Sequence, residues 1–137
     1  MWQTYALLSA FFAALTAIFA KIGVSSINSN LATAVRTTVI LIITWFAALA
    51  FSDLSQIKRI SASSLLFLIL SGCTTGLSWL FYFKALKISD ASKVAPVDKL
   101  SVVFTVVLAF IILGEQPSLK VIAGCSLIFM GALAILI

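Results

Sequence analysis

The sequence has few charged residues and no histidine. Charged residues make up 9% of the chain and hydrophobic residues 63%, with a mean hydropathy of +1.24, whereas soluble domains carry roughly 25% charged residues. These values argue against a water-soluble fold. Because one helical span needs about 20 apolar residues, the 137 residues can hold five or six spans with short connections. That length leaves no room for a soluble catalytic module.

Residues that carry catalysis or bind metals are also scarce. The sequence has no histidine and no glycine-rich phosphate loop. Its two cysteines, Cys73 and Cys125, lie in apolar runs, where a thiol acts as a small hydrophobe. The net charge is +5, but the basic residues are scattered, not clustered as in nucleic-acid-binding proteins. We therefore predict no enzyme, cofactor, metal site or nucleic-acid partner, and interpret the excess cations as contacts with lipid headgroups.

Five apolar runs, separated by charged or turn-forming residues, predict five transmembrane helices in one all-α domain. The predicted helices cover residues 2–24, 31–52, 61–86, 95–113 and 119–137. Pro117 followed by Ser118 as N-cap is expected to open the last helix. Five spans place the termini on opposite sides, and the basic residues are nearly balanced between the sides. This balance fits insertion in both orientations, and equally a single orientation fixed by other loop features.

Small residues recur at helical spacing in the first, third and fifth predicted helices. Spacings of four or seven residues place them on one face, where two backbones can approach closely. We expect close helix packing at these positions, either inside one subunit or between subunits. The residues are Ser9, Ala13, Ala17, Gly72, Gly76, Gly124 and Gly131.

Polar residues form a stripe on one face of each of two neighbouring predicted helices. In the third helix the stripe consists of Ser71, Thr75, Ser78 and Tyr82. In the fourth it consists of Asp98, Ser101 and Thr105. Each hydroxyl alone could simply bond back to its own helix, but two stripes, one with a carboxylate, are typical of the walls of a hydrated path through the membrane.

Asp98 and Lys99 are ionisable residues inside a predicted span, where such groups cost about 2.5 to 3.5 kcal/mol at the helix centre and are usually paired or functional. The residues four positions away from each are apolar, so a partner for Asp98 is expected from another helix. Pro96 cannot donate to the helix ladder, which predicts an irregular start of the fourth helix. Alternatively, Lys99 snorkels toward the membrane surface. The candidate partners of Asp98 are Lys21, Arg36 and Lys84.

Several short segments, taken in order, match the pattern of a known family. They are Lys21, Arg36, the run Tyr82-Phe83-Lys84-Ala85-Leu86, Ala95-Pro96, Leu113-Gly114-Glu115, and Gly124 followed by Gly131. With these residues the sequence resembles the EamA family of the drug/metabolite transporter superfamily. It departs from that pattern in the first helix, where Phe11-Phe12-Ala13-Ala14 replaces a common Trp-Gly pair, and at Asp98-Lys99, where many relatives are uncharged.

The resemblance implies a mechanism, since family members usually join two such units, with inverted halves, into ten helices. A single unit would then act as an antiparallel homodimer in a prokaryotic plasma membrane. It would be a secondary transporter of small metabolites, amino-acid-like or drug-like, working by alternating access. The first four helices would surround the site and the fifth would support assembly. By position, the lining residues would be Arg36, Trp79, Tyr82, Asp98, Lys99 and Ser101.

The same resemblance suggests roles for the two charged residues of the fourth helix. Lys99 could meet an anionic substrate group, and Asp98 could hold a cation or exchange a proton. An alternative is a non-transporting assembly or regulatory subunit that packs against another membrane protein through the small-residue faces. A channel is less favoured because no ring of like charges is evident.

Overall fold

The computed structural model of the chain is helical throughout and describes residues 1–137, apart from the side chain of Lys58. The helices are α1 (Trp2–Val24), α2 (Ser29–Phe51), α3 (Ala62–Ile88), α4 (Ala91–Asp98), α5 (Leu100–Leu108) and α6 (Leu119–Leu136). A 3-10 turn at Leu54–Arg59 precedes α3, and a π-helical turn at Ala109–Leu113 follows α5. The described backbone contains no β-strand.

Five helical segments are long and apolar enough to cross a membrane. They are α1, α2, α3, α6 and the segment Ala91–Leu113, which combines α4, α5 and the π-helical turn. The predicted all-α fold with five membrane spans is confirmed.

Capping side chains explain where three of the spans begin. The Asn28 side chain accepts a hydrogen bond from the Asn30 backbone N–H at 2.9 Å, so α2 begins two residues earlier than predicted. Before α3, the Ser61 hydroxyl accepts from the Ser64 N–H at 3.1 Å. Ser118 is the N-cap of α6, as predicted, and its Oγ accepts from the Val121 N–H at 3.4 Å. Each cap satisfies a backbone donor that the first helical turn leaves without a partner.

The fourth span differs most from its prediction. It begins at Ala91 instead of residue 95, because Asp90 acts as the N-cap and its carbonyl accepts from the backbone N–H of Val94 at 3.0 Å. Pro96 therefore lies inside α4 and not at its start. The predicted irregularity is present, but it falls after the proline: Lys99 has ψ −7°, and its N–H bonds to the Pro96 carbonyl at 3.1 Å.

The residues form two compact units, Ala20–Ile88 and the combination of Met1–Phe19 with Ser89–Ile137. In the first unit α2 packs against α3, and the side chains of Val24 and Leu86 are fully buried. In the second unit α4 and α5 both pack against α6, where Ala132 is buried. Large apolar side chains remain exposed along all the spans, as expected of surfaces that lipid covers.

The small-residue positions show where this chain does and does not pack closely. A Cβ built on any of the four glycines would meet no heavy atom within 4 Å among the described residues; these are Gly72, Gly76, Gly124 and Gly131. Ala17 is buried, whereas Ser9 and Ala13 are exposed. Close packing at the glycines inside one subunit is therefore not observed, and packing between subunits stays a prediction.

Asp53 caps the 3-10 turn outside the membrane spans. Its Oδ1 accepts from the Ser55 backbone N–H at 3.0 Å, and its Oδ2 accepts from the Ser55 hydroxyl at 2.8 Å. The backbone hydrogen bond is the main cause, and the hydroxyl the second, of a pKa of Asp53 below its ordinary value. Because the folded-state pKa is the lower one, this stabilisation is present above the unfolded pKa of about 4 and is lost as the pH falls through the folded value.

We expect amide hydrogen exchange at Ser55, corrected for its intrinsic pH dependence, to become faster below about pH 4. Asp53→Asn is the matched control, since an asparagine side chain caps comparably but does not titrate. Its corrected exchange rate at Ser55 should stay constant over the same range. Equal pH profiles for the wild type and Asp53→Asn would contradict the proposed cap.

Candidate functional site

The predicted pathway residues fall into two groups, one in each compact unit. The α2–α3 group lies in Ala20–Ile88 and contains Arg36, Ser71, Thr75, Ser78, Trp79 and Tyr82. The α4–α5 group lies in Ser89–Ile137 and contains Asp98, Lys99, Ser101 and Thr105.

In the α2–α3 group, Arg36 of α2 lies against aromatic rings of α3. The guanidinium carbon is 4.1 Å from the centroid of the Trp79 ring and 5.6 Å from that of Phe83. The two rings belong to one face of α3, since they are four residues apart. Phe83 is 2% exposed and was not among the predicted site residues, although its spacing from Trp79 could have indicated it.

The environment of Arg36 compensates its charge only in part. Among the side chains that the structure describes, no carboxylate lies within 4 Å of the guanidinium, and none accepts a hydrogen bond from it. Tyr82 is close enough to interact with it electrostatically. The two ring contacts contribute about 0.5 to 2 kcal/mol each, which is comparable with the cost of about 2.5 to 3.5 kcal/mol for a cation at the centre of a span, but the rings provide no oxygen acceptor for the guanidinium N–H groups. The N–H groups of the guanidinium are thus available to donate hydrogen bonds to another group.

The hydroxyl stripe of α3 runs beside these rings. The Thr75 hydroxyl donates to the Ser71 carbonyl at 2.8 Å. This is a bond back to its own helix, the structural role that a single hydroxyl in a helix can have without lining a path. Ser71 and Ser78 are exposed on the surface of this chain, and Tyr82 is half-buried. The stripe therefore adds polar atoms next to the Arg36–Trp79 contact. The Thr75 hydroxyl hydrogen is already donated to the backbone of α3.

Two lysines near the end of α3 donate hydrogen bonds that were not predicted from the sequence. The Lys21 ammonium donates to the Leu86 carbonyl at 2.7 Å, and the Lys87 ammonium donates to the Ile27 carbonyl. Cations near the C-terminus of a helix satisfy its last carbonyls and favour its dipole. The available signal was the position of Lys21 in the last turn of the first predicted helix; Lys87 lies one residue beyond the end of the third predicted helix. Lys84 lies 5.9 Å from the ring of Phe81.

In the α4–α5 group, Asp98 pairs with its neighbour in sequence. The Asp98 Oδ2 lies 3.6 Å from the Lys99 Nζ. The expectation that a partner must come from another helix was wrong, because it assumed the 100° separation of adjacent residues in a regular helix. The lysine side chain is long enough to bridge that separation and reach the neighbouring carboxylate. Both stay accessible, with the Asp98 side chain 37% exposed.

The break lies in the outer third of the span. Asp98 is seven residues after Ala91, which is about 10 Å along the axis at 1.5 Å per residue. Pro96 has no N–H to donate to the Ser92 carbonyl, so polar backbone atoms accompany the charged pair. The Thr105 hydroxyl donates to the Ser101 carbonyl at 2.8 Å and so repeats the bond seen in α3.

An apolar groove of about 580 Å³ lies along α5, the π-helical turn and α6. Its lining includes Val103, Phe110 and Cys125 and contains no ionisable carboxyl or amino group. Cys125 therefore has apolar surroundings, as predicted.

The chain is similar to a known protein family and to a bacterial protein. The profile of the EamA-like transporter family matches residues 1–137. A protein of Sinorhizobium sp. described as an uncharacterized transporter in the cobO 3′ region is 49% identical over 132 residues, which cover 96% of this chain and 94% of the relative. No solved structure is detectably similar to the chain. With five membrane spans and a family match over its whole length, the chain is a multi-pass membrane protein that belongs to the EamA-like transporter family.

Proposed function

We propose that this membrane transporter is a secondary transporter of small metabolites, amino-acid-like or drug-like, that works by alternating access. The observation that carries the proposal is the broken fourth span, in which Pro96 and the Asp98–Lys99 pair lie together inside the membrane segment. Discontinuous helices with polar groups at the break are typical of substrate and ion sites in secondary transporters. The bacterial relative, itself described as a transporter, supports a prokaryotic plasma membrane as the location.

The proposal assigns roles to both groups of residues. The proposed pathway residues are Arg36 of α2, Trp79 and Tyr82 of α3, and Asp98, Lys99 and Ser101 of the fourth span. Asp98 binds the coupling cation or exchanges a proton, and Lys99 attracts anionic groups of the substrate. The last span, α6, supports assembly, with residues 1–137 acting as one transmembrane domain.

The working form is an antiparallel homodimer. Residues 1–137 hold one unit of five spans, and the bacterial relative, 94% of which is matched, also has the length of one unit. An odd number of spans puts the two ends of a unit on opposite sides of the membrane. Two copies therefore form an inverted pair, as in two-unit members of the family, only if they insert in opposite orientations.

We expect a cysteine in the Leu54–Arg59 turn to be labelled from both sides of the membrane. The variant is Gln56→Cys in a background with Cys73→Ala and Cys125→Ala, since Gln56 is exposed outside the spans. A membrane-impermeant maleimide applied to intact cells should block about half of the thiols, and the rest should react only after permeabilisation. Labelling from one side alone would rule out the antiparallel dimer.

Transport itself is tested with purified protein in proteoliposomes, by uptake of a metabolite panel with and without an imposed pH gradient. Saturable uptake by a preparation that contains no other chain supports the proposal. Absence of flux, together with recovery only in complex with a second membrane protein, would favour an assembly or regulatory subunit instead.

A further inference from the structure

The arginine in the second span lacks an acidic partner in a protein whose spans are poor in acids. Arg36 lies seven residues after Ser29, about 10 Å into α2 at 1.5 Å per residue. The five spans contain several basic residues but a single acidic one, Asp98, which lies against Lys99. A cation inside a span needs an anion or strong acceptors unless its side chain reaches the headgroups, and the contact with Trp79, nine residues before the end of α3, keeps the guanidinium away from that end. Among the side chains that the structure describes, no carboxylate lies within 4 Å of the Arg36 guanidinium, and its electrostatic partner is the hydroxyl-bearing Tyr82.

The contact with Trp79 prepares the guanidinium for an anion. A ring face 4.1 Å from the guanidinium carbon attracts the cation but cannot replace an oxygen acceptor for its N–H groups. Guanidinium donors lie in the plane of the group, in a fork that matches both oxygens of a carboxylate. Contact with the ring also restricts a flexible side chain, so less conformational freedom is lost when an anion binds.

The neighbouring residues suit a particular kind of anion. Trp79 and Phe83 form an apolar surface next to the cation, and Ser78 and Tyr82 place hydroxyls on adjacent positions of the same helix. An inorganic anion would not use an aromatic surface, whereas an organic acid with a small apolar body would contact both the rings and the fork.

We propose that Arg36, held against Trp79, binds the carboxylate of the transported solute, so that the substrates are small organic acids, including amino acids. This inference rests on the proposed transport function and narrows its substrate class. Recognition of the carboxylate is then the role of α2 and α3, while Lys99 attracts anionic solutes toward the pathway and Asp98 takes part in coupling.

The test uses the full-length protein with Trp79 as its sole tryptophan, after Trp2→Phe and Trp45→Phe. Trp79 fluorescence is titrated in neutral phosphatidylcholine liposomes with a panel of amino acids, monocarboxylates and dicarboxylates, each compared with its amide, such as phenylacetate with phenylacetamide. We expect a saturable response to at least one carboxylate and a response at least about tenfold weaker to its amide. Equal binding of acid and amide, or no saturable response to any carboxylate, would overturn the inference.

Two arginine variants test whether the paired donors of the Arg36 guanidinium, and not only its charge, bind the carboxylate. Arg36→Lys keeps the cation but loses the paired donors, and it should weaken carboxylate binding about tenfold or more. Arg59→Lys, which changes the other arginine of the sequence in the turn outside the spans, should bind as the wild type does. Wild-type binding in Arg36→Lys would overturn the inference. So would a Trp79 response that follows added phosphatidylglycerol and no carboxylate, because Arg36 would then be a lipid-headgroup anchor.

The same liposomes distinguish this inference from the proposed function. Saturable carboxylate binding that depends on Arg36, with no flux of any solute, would support the inference and count against secondary transport. Uptake of neutral or cationic solutes that is unchanged in Arg36→Lys would support transport and overturn the carboxylate specificity.

Discussion

Asp98→Asn is expected to leave a folded protein whose net transport falls at least about tenfold. Asparagine keeps the size of the side chain but cannot attract Lys99, which lies 3.6 Å away in the wild type. The loss of fold stability should be small because asparagine keeps most of the hydrogen bonding of the side chain, and the substitution removes a charge that is costly inside a span. Proteoliposome uptake measures the functional effect, and thermal unfolding in detergent measures the structural one.

Asp90→Asn is the matched control. Asp90 also faces a lysine, with its Oδ2 4.0 Å from the Lys93 Nζ, but it lies in the connection before α4 and serves as its N-cap. The Asp90 side chain makes no capping hydrogen bond and asparagine is equally favoured at an N-cap, so this variant should keep the start of α4 and transport normally. If Asp98 carries the coupling proton, substrate binding to Asp98→Asn should also lose its dependence on pH. Wild-type uptake by Asp98→Asn under an imposed pH gradient would remove the residue from the mechanism.

Gly114→Val is expected to lower the free energy of unfolding by about 2 kcal/mol. Gly114 ends the fourth span with φ +68° and ψ 18°, the left-handed conformation that a β-branched residue adopts only with strain. Its N–H bonds to the Ala109 carbonyl and closes the π-helical turn, so the strain cannot be relieved without opening that turn. Thermal unfolding of the purified variant measures the effect.

Two substitutions distinguish strain from simple loss of a glycine. Gly114→Asn should cost clearly less, since asparagine tolerates the left-handed conformation. Gly23→Val lies in α1, where an added Cβ meets no described atom within 4 Å, and it should have a small effect. A loss of stability at position 23 equal to that at 114 would show that backbone conformation is not the cause.

The five spans could be predicted because hydrophobicity and length determine them locally. Ser118 could be identified as a cap for the same reason, since an N-cap depends on a side chain and the next three residues. The break of the fourth span could be anticipated from Pro96, but its position could not. It depends on whether the helix starts before or at the proline, and the N-cap at Asp90 decides this.

The side-chain contacts of the candidate site could not be predicted from the sequence. Arg36 and Trp79 are 43 positions apart in sequence, and their meeting depends on how α2 packs against α3. The family resemblance implied that both residues line the site, but it did not indicate that they were partners. For Asp98 the local rule failed because it considered only residues one turn away, whereas the long side chain of the adjacent Lys99 reaches the carboxylate.

The bond from Lys21 to the Leu86 carbonyl spans 65 positions of sequence and so affects how the protein is made. At about 5 to 20 residues per second, a ribosome adds Leu86 roughly 3 to 13 seconds after Lys21. During that interval the first helix is already long enough to enter the membrane, but the acceptor of its lysine does not yet exist. Water and lipid phosphates must solvate the ammonium until the third helix arrives, which keeps that end of the first helix at the bilayer surface. Lys21 therefore first positions the nascent α1 at the bilayer surface and later joins α1 to α3 through a hydrogen bond.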